Sequence, residues 1–241
     1  MLLYGFGYGY PMFYGFDRTY LLVLVAAIFS MWASARVNST YSKYAKVRSM
    51  QGLTGAEAAQ RILYYAGLSN IRVEHVSGNL TDHYDPKSKV LRLSDSTYSS
   101  ASVAAIGVAA HECGHAIQDA EGYSPLRLRS TLVPAANLGS RLGIPIIILG
   151  VLLGSNYMLI QIGIWVFSLA VLFQLVTLPV EFNASNRAMR ILGDRGMLGQ
   201  EELGMCKKVL SAAAMTYVAA AAASIIQLLR LVLLYGRRRD D

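Results

Sequence analysis

The sequence predicts a mainly α-helical protein in which several membrane-spanning helices accompany a smaller polar α+β region. Hydrophobic residues make up 54% of the 241 residues and charged residues only 15%, so the chain is more apolar than an average soluble domain. Residues 142–180 contain no charged residue. Residues 36–141, in contrast, are polar and mix helical with strand-like patterns.

The N-terminal segment, residues 1–35, combines an aromatic leader with a first apolar run. Residues 2–17 are rich in Gly, Tyr and Phe, and we expect them to form an interfacial or poorly ordered tail. Residues 20–35 are near the lower length limit for a span, and Tyr20 and Trp32 are of the type that membrane interfaces favour. Because no basic segment precedes this run, it is predicted to be a retained anchor and not a cleaved signal peptide.

The polar region, residues 36–141, is predicted to carry a small sheet between two helices. Thr54 and Glu57 have the spacing of a capping box, which opens a helix that Gly67 would close. Residues 71–76 alternate in character, and residues 85–88 form a turn between two further strand-like runs, so we expect a small antiparallel sheet. From residue 101 the chain becomes a helix of small residues that ends near Gly122.

The second apolar block, residues 142–181, is too long for one crossing of a bilayer, which needs about 20 residues. A turn signal at residues 154–156 divides it into a hairpin with spans near residues 142–153 and 157–178. Residues 182–241 follow as a polar connector and an Ala-rich block. The block, residues 209–235, is either a fourth span or a long helix packed on the others.

The distribution of charge predicts the orientation in the membrane. The net charge is +7, but no block of Lys and Arg is dense enough for a nucleic-acid surface; the expected partners are membrane lipid and a peptide or protein substrate. Residues 36–141 hold 12 of the 22 basic residues and residues 182–208 hold five more. A hairpin leaves both regions on one side, which the positive-inside rule makes cytoplasmic. The three arginines at 237–239 oppose this orientation if the last helix crosses.

The motif His111-Glu112-Cys113-Gly114-His115 indicates a metal site. Residues four apart lie on one face of a helix, so the two imidazoles can bind one Zn²⁺ ion. The carboxylate of Glu112 is then close enough to deprotonate a metal-bound water without binding the metal.

A catalytic zinc site needs a third protein ligand and leaves one position for water. Glu181 is the leading candidate, because it is the charged residue at the end of a long apolar run and the topology puts it on the side of the histidine pair. His75 and His83 are more simply explained as sheet residues. The two cysteines, Cys113 and Cys206, have no metal or redox spacing.

The segments AAHECGHAIQ, VLRLS and LPVEFNASNRA together resemble the YugP-like bacterial membrane zinc metallopeptidases. They are more distantly similar to the HtpX and CAAX prenyl proteases, in which H-E-x-x-H is followed, after membrane spans, by E-x-x-x-D. The resemblance implies a zincin-like fold in the bacterial inner membrane, with His111, His115 and Glu181 as zinc ligands and Glu112 as catalytic base. The chain departs from the distant relatives at Ser185, where they have Asp; Ser185 or Asn186 is expected to supply the hydrogen bond instead.

The predicted activity is zinc-dependent endoproteolysis of membrane or misfolded proteins, with Arg187, His83 or a tyrosine as candidate oxyanion donor. The strand at residues 90–93 is expected to bind an extended substrate at its edge.

Two alternative functions stay open. One is a site-2-type intramembrane protease whose zinc helix lies in lipid. The other is a scaffold in which His83 or Cys113 closes the zinc site as a fourth ligand. Oligomeric state is left open.

Overall fold

The computed structural model describes residues 19–235, which form six helices and one three-stranded sheet. The N-terminal leader and the arginines at 237–239 lie outside these residues. The elements follow in the order α1 (Tyr20–Tyr44), α2 (Gly55–Tyr65), β1 (Arg72–Val76), β2 (His83–Asp85), β3 (Val90–Ser94), α3 (Val103–Ala120), α4 (Ser124–Leu152), α5 (Tyr157–Asp194) and α6 (Gln200–Tyr235).

Four of the described helices, α1, α4, α5 and α6, are long and apolar enough to cross a membrane. Each extends beyond the apolar run that predicts it: α1 continues past residue 35, α4 begins 18 residues before residue 142, and α5 continues to Asp194. The polar segments at these ends contain helix-forming residues such as Arg, Lys and Ala. Hydropathy therefore locates the part of a helix that suits lipid, and not the point where the helix ends.

The predicted hairpin turn lies between α4 and α5. Gly154 and Ser155 have positive φ angles of 76° and 58°, and the side chain of Asn156 caps α5 by accepting a hydrogen bond from the amide of Leu159. The two helices pack closely, and a Cβ on Gly163 would stand 2.5 Å from Cγ1 of Ile147. Small residues thus let the two backbones approach.

The sheet is mixed, so the prediction of an antiparallel sheet was wrong. Its strand order is β1-β3-β2, with β1 parallel and β2 antiparallel to β3. The turn at residues 85–88 is present, and Asp85 accepts a hydrogen bond from the amide of Lys87. The segment before β2 turns through Gly78 and Leu80, which both have positive φ angles, and this reversal brings β1 to the far side of β3.

The prediction that residues 90–93 offer a free edge to a substrate was also wrong. Strand β3 is central, so its backbone groups pair with β1 on one side and β2 on the other. β3 is also the strand with the most buried side chains. The two edges of the sheet belong to β1 and β2 instead.

The main core surrounds α3, whose small residues are buried by α2, α5, α6 and the sheet. The predicted capping box opens α2: the hydroxyl of Thr54 accepts from the amide of Glu57, and the Glu57 carboxylate accepts from the amide of Thr54. Close contacts require glycine in α3, because a Cβ on Gly107 would stand 2.7 Å from Sγ of Cys206 on α6. Helix α3 is thereby held at the centre of the polar region.

Candidate metal centre

The two histidines of the motif lie on one face of α3. The helix begins after Ser102, whose hydroxyl accepts a hydrogen bond from the amide of Ala105. His111 and His115 follow one turn apart, so their side chains project in the same direction. Their ring centroids are 4.8 Å apart and the ring planes meet at 85°. The two rings are therefore close enough to share one ion.

Glu181 reaches the histidine pair from α5. Its Oε2 atom lies 3.2 Å from Nε2 of His111 and 3.5 Å from Nε2 of His115, and its side chain is only 3% exposed. Within residues 19–235, these three residues form the single group of at least three His, Cys, Asp or Glu that could hold a metal ion. The approach depends on Gly114, because a Cβ there would stand 2.5 Å from the carbonyl oxygen of Ala184 on α5.

Each imidazole is held through its second nitrogen. Nδ1 of His111 lies 3.0 Å from the hydroxyl of Ser185, and Nδ1 of His115 lies 3.0 Å from Oε1 of Gln118. With Nδ1 occupied on both rings, Nε2 is the atom left to face an ion. Asn186, the other candidate partner, lines a separate cavity between α5 and α6.

Gln118 is a site residue that the sequence reasoning missed. It is fully buried, and its amide nitrogen donates to the carbonyl of Val180 and to Oδ1 of Asn183, both at 2.9 Å. These bonds orient its amide oxygen toward His115 and tie α3 to α5. The spacing is a signal that could have found it, because a residue three positions after His115 lies on the same helix face.

Glu112 lies beside the histidine pair, 9% exposed, and is held by the backbone of β2. Its Oε2 atom accepts a hydrogen bond from the amide of Tyr84 at 3.1 Å. The Tyr84 hydroxyl in turn donates to Oδ2 of Asp119 at 2.7 Å. Burial, followed by the hydrogen bond to Asp119, raises the pKa of Tyr84, so this hydroxyl keeps its proton at neutral pH. Strand β2 is thus fastened to α3 at two residues, Glu112 and Asp119.

The electrostatic environment of the pair favours a cation. Burial alone would lower the pKa of His115, but the hydrogen bond with Glu181 and the charges of Glu112 and Glu181 outweigh it, so the pKa is raised. The same carboxylates that stabilise a proton on the ring would stabilise a metal ion in its place.

Two further side chains, Arg129 and Tyr217, reach the site from α4 and α6, which lie outside the histidine motif. Arg129 on α4 places Nη1 3.3 Å from Oε1 of Glu181, the oxygen that faces away from the histidines. Tyr217 on α6 lines the same cavity, which has a volume of about 320 Å³ and is also lined by Glu112, His115 and Glu181. No local pattern predicts these two residues, because tertiary packing alone brings α4 and α6 to the site.

His83 and Arg187, the two residues named as candidate oxyanion donors, lie in different places. His83 lines the cavity, with Nδ1 2.9 Å from the carbonyl of Thr81. Arg187 is not brought to the histidine pair: it forms an ion pair with Glu121 at 2.7 Å and stacks over the ring of Tyr123. Its guanidinium therefore links α5 to the end of α3.

The donor set fits Zn²⁺. Imidazole nitrogens and a carboxylate oxygen are common zinc ligands, with bonds of about 2.0–2.2 Å, and two ligands of a tetrahedral ion with such bonds lie roughly 3.3–3.5 Å apart. The separations between Glu181 and the two imidazoles are 3.2 and 3.5 Å. The helix motif, with a glutamate from a second helix beside it, matches the arrangement typical of the zinc metallopeptidase class.

Comparison with known proteins identifies the family. A family model described as "Putative neutral zinc metallopeptidase" matches residues 19–236, and the chain belongs to this family. It is also similar to a protein of Bacillus subtilis (strain 168) described as "Putative membrane protease YugP", with 48% identity over 223 residues that cover 92% of this chain and 99% of the relative. No solved structure matches the chain.

The family assignment confirms the resemblance found in the sequence. It also confirms Zn²⁺ as the cofactor, since the family is one of zinc peptidases and the structure contains a His-His-Glu group able to hold the ion. The similarity to a membrane protease agrees with the four membrane-length helices.

Proposed function

We propose that the chain is a membrane-embedded zinc endopeptidase that hydrolyses peptide bonds in membrane or misfolded proteins. The observation that carries this proposal is the convergence of three ligand atoms from His111, His115 and Glu181 within 4.8 Å, directly beside the buried carboxylate of Glu112. Three protein ligands next to a carboxylate that can hold a proton are the arrangement of a catalytic zinc site, whereas a structural site takes four.

In this proposal, Nε2 of each histidine and the carboxylate of Glu181 hold the zinc. The ion, when bound, acts as a Lewis acid that acidifies water and polarises a carbonyl. Arg129 neutralises part of the charge on Glu181 through Oε1, so Oε2 remains directed at the histidines. Ser185 and Gln118 keep both rings oriented with Nε2 toward the ligand group.

Glu112 moves the proton. Its Oε2 atom already accepts the amide hydrogen of Tyr84, so we assign the proton to Oε1. Glu112 takes a proton from the attacking water and then returns it to the nitrogen of the leaving amine. The hydrogen bond from Tyr84 restricts rotation of the carboxylate and holds it in position for both transfers.

The outer edge of β2 is the proposed binding site for an extended substrate. β2 is an edge strand, and its residue Tyr84 directs its amide away from β3 toward Glu112. An extended peptide lying along this edge would pass the metal centre, and edge pairing is a common mode of peptide recognition. His83, on the same strand, and Tyr217 line the cavity and are the candidate oxyanion donors.

The two alternative functions receive less support. Helix α3 has 18 residues and is not among the four membrane-length helices described, which disfavours a zinc helix within lipid. Cys113 is fully buried and donates to the carbonyl of Ala59 on α2, and burial raises its pKa well above the ordinary value. It is therefore poorly placed to be a fourth, structural ligand.

We further propose that the site faces the cytoplasm from the inner membrane. Support comes from residues 36–141, which contain the histidine motif, and residues 182–208, which follow Glu181, because together they hold 17 of the 22 basic residues of the chain. The positive-inside rule assigns such regions to the cytoplasmic face.

The test is the change Glu112→Gln in the full chain, reconstituted in lipid. The amide cannot accept the proton, so peptide hydrolysis should fall by at least about 100-fold, while one zinc per chain stays bound. Cleavage of an unfolded protein is measured by gel analysis and zinc by elemental analysis.

The matched control is Glu121→Gln, which neutralises an exposed glutamate that follows α3 and pairs with Arg187. This variant should retain zinc and activity. Unchanged hydrolysis by Glu112→Gln would contradict the assigned proton carrier, and a wild-type protein that binds zinc without any hydrolysis would favour the scaffold.

A further inference from the structure

A basic cavity lies between α1 and α6, and it shares no lining residue with the cavity at the metal centre. It has a volume of about 500 Å³, a size typical of small-molecule sites. Four of its lining side chains are cations: Arg36 and Lys43 from α1, and Lys207 and Lys208 from α6. Hydroxyl groups of α1, from Ser39 and Thr40, also line it.

The four cations have no acidic partner. No Asp or Glu lines the cavity, and none of the four forms an ion pair with another residue between 19 and 235. All four are exposed. Four like charges held around one space repel each other, and a bound anion would relieve this repulsion.

The position of the cavity along the helices matches the level of lipid headgroups. The rise along α1 is about 24 Å from Tyr20 to Arg36 and about 35 Å from Tyr20 to Lys43, which brackets a hydrocarbon core of about 30 Å. At the other end of the pair, Arg230 of α6 stacks over Tyr20 and donates to Thr19. The helices therefore run antiparallel, and the four cations of the cavity lie at the end opposite Arg230.

The surface between these two ends suits acyl chains. α1 exposes a row of large apolar side chains in its first three turns, namely Leu21, Leu24, Val25, Ile28 and Met31. Trp32 follows, and the guanidinium of Arg36 stacks over its ring at 5.2 Å. An aromatic ring next to a cation is typical of the membrane interface. A ligand with an anionic head and apolar tails would match both parts of this surface.

We propose that this cavity binds the phosphate group of an anionic phospholipid. The same chemistry would recognise free phosphate, but the adjoining apolar surface favours the lipid. Basic pockets between transmembrane helices on the cytoplasmic side are known to bind such headgroups. The site lies on the same side as the metal centre, and its binding does not depend on peptidase activity.

Trp32 provides a built-in reporter. The chain has two tryptophans, so Trp165→Phe, at an exposed position of α5, leaves Trp32 alone. The full chain carrying this change is placed in phosphatidylcholine vesicles containing either brominated phosphatidylglycerol or brominated phosphatidylcholine at equal fractions. Binding of the anionic lipid should give a preference of at least fivefold in Trp32 quenching, since one cation near the surface contributes about that factor.

The variant Lys43→Gln/Lys207→Gln/Lys208→Gln should abolish the preference. Its control, Arg61→Gln/Arg72→Gln/Lys87→Gln, removes three exposed positive charges outside the cavity and should keep it. Circular dichroism checks that both triple variants are folded. If the cavity variant does not fold, Lys43→Gln alone replaces it and is expected to weaken the preference about fivefold. Equal quenching by the two lipids in the parent protein, or an undiminished preference in the cavity variants, would overturn the proposal.

Competition with inorganic phosphate distinguishes a lipid headgroup from free phosphate as the ligand of the cavity. Added at constant ionic strength against chloride, it should leave the lipid preference intact, because free phosphate lacks the contribution of the acyl chains. Complete displacement of the lipid signal by phosphate would reject the lipid and identify a site for soluble phosphate.

Discussion

An uncharged side chain contacts Nδ1 of each imidazole: the hydroxyl of Ser185 contacts His111, and the amide of Gln118 contacts His115. Gln118 is the better fixed of the two, because its amide nitrogen makes two hydrogen bonds to α5. A fixed partner of this kind sets the orientation of the ring and hence the direction of Nε2.

Replacing Gln118 with Ala should therefore weaken zinc binding. The ring of His115 would lose its partner on Nδ1, and loss of such a group typically costs 10–100-fold in metal affinity. The measurement is competition with a chromophoric chelator in detergent. Gln60→Ala, an exposed change on α2, is the control and should leave the affinity unchanged. Equal affinities of both variants would show that Gln118 does not position the ring.

At the scale of elements, the contact between α3 and α5 decides whether the ligands meet. Gly114 faces the backbone of Ala184, and even a methyl group there would come within 2.5 Å of the carbonyl oxygen. Backbone atoms at such a contact cannot move aside independently, so one helix would have to shift.

Gly114→Ala should therefore separate Glu181 from the histidines and reduce zinc affinity by at least about tenfold, the effect of a misplaced ligand. Gly204→Ala is the matched control, since a Cβ at Gly204 in α6 meets no atom within 4 Å. There the change from Gly should stabilise the helix by about 0.5–1 kcal/mol. Zinc titration and thermal unfolding of both variants provide the comparison, and wild-type affinity for Gly114→Ala would contradict the packing argument.

The capping box of α2 makes a pH-dependent contribution. The hydrogen bonds from the backbone and side chain of Thr54 lower the pKa of Glu57 from 4.5. A carboxyl whose pKa is lower in the folded state stabilises the fold above its unfolded pKa, and this contribution is lost as the pH falls through the folded value.

Glu57→Gln should consequently lower the melting temperature at neutral pH, and the difference from wild type should shrink as the pH falls below 4.5. Thr54→Ala should cost about 1 kcal/mol at neutral pH through loss of the cap. Circular dichroism of α-helix content during heating measures both. A difference for Glu57→Gln that is independent of pH would contradict the role of its charge.

At the scale of the whole molecule, the proposed membrane arrangement, in which α4 and α5 form a hairpin of two spans, predicts that the sheet and the α4–α5 turn face opposite sides of the membrane. Ser155→Cys in the turn should react with a membrane-impermeant maleimide added to spheroplasts. Lys87→Cys in the sheet turn should react only after permeabilisation. Cys113 and Cys206 are buried and give little background. The opposite labelling pattern would reverse the proposed orientation.

Features that depend on neighbouring residues could be predicted from the sequence, whereas features that depend on residues far apart in the chain could not. The capping box at Thr54, the hairpin turn near Gly154 and the spacing of His111 and His115 depend on neighbours within a few residues, so local chemistry was enough to predict them. The pairing of β1 with β3 depends on how the chain reverses between the strands, which strand patterns do not encode. The long helices also extend beyond the predicted spans, because polar residues can continue a helix beyond its apolar part.

The sequence by itself determined the membrane-length helices, the family and the pair of imidazoles, because each is written in composition or in short-range periodicity. Only the tertiary structure decided that Glu181 meets both rings, that Gln118 and Ser185 hold them, and that Arg129 and Tyr217 complete the cavity. Apart from Gln118, which lies on α3 three residues after His115, these residues come from other helices, α4, α5 and α6. Their meeting depends on the close approach of α3 and α5 at Gly114 and on the packing of α4 and α6, which no local pattern specifies.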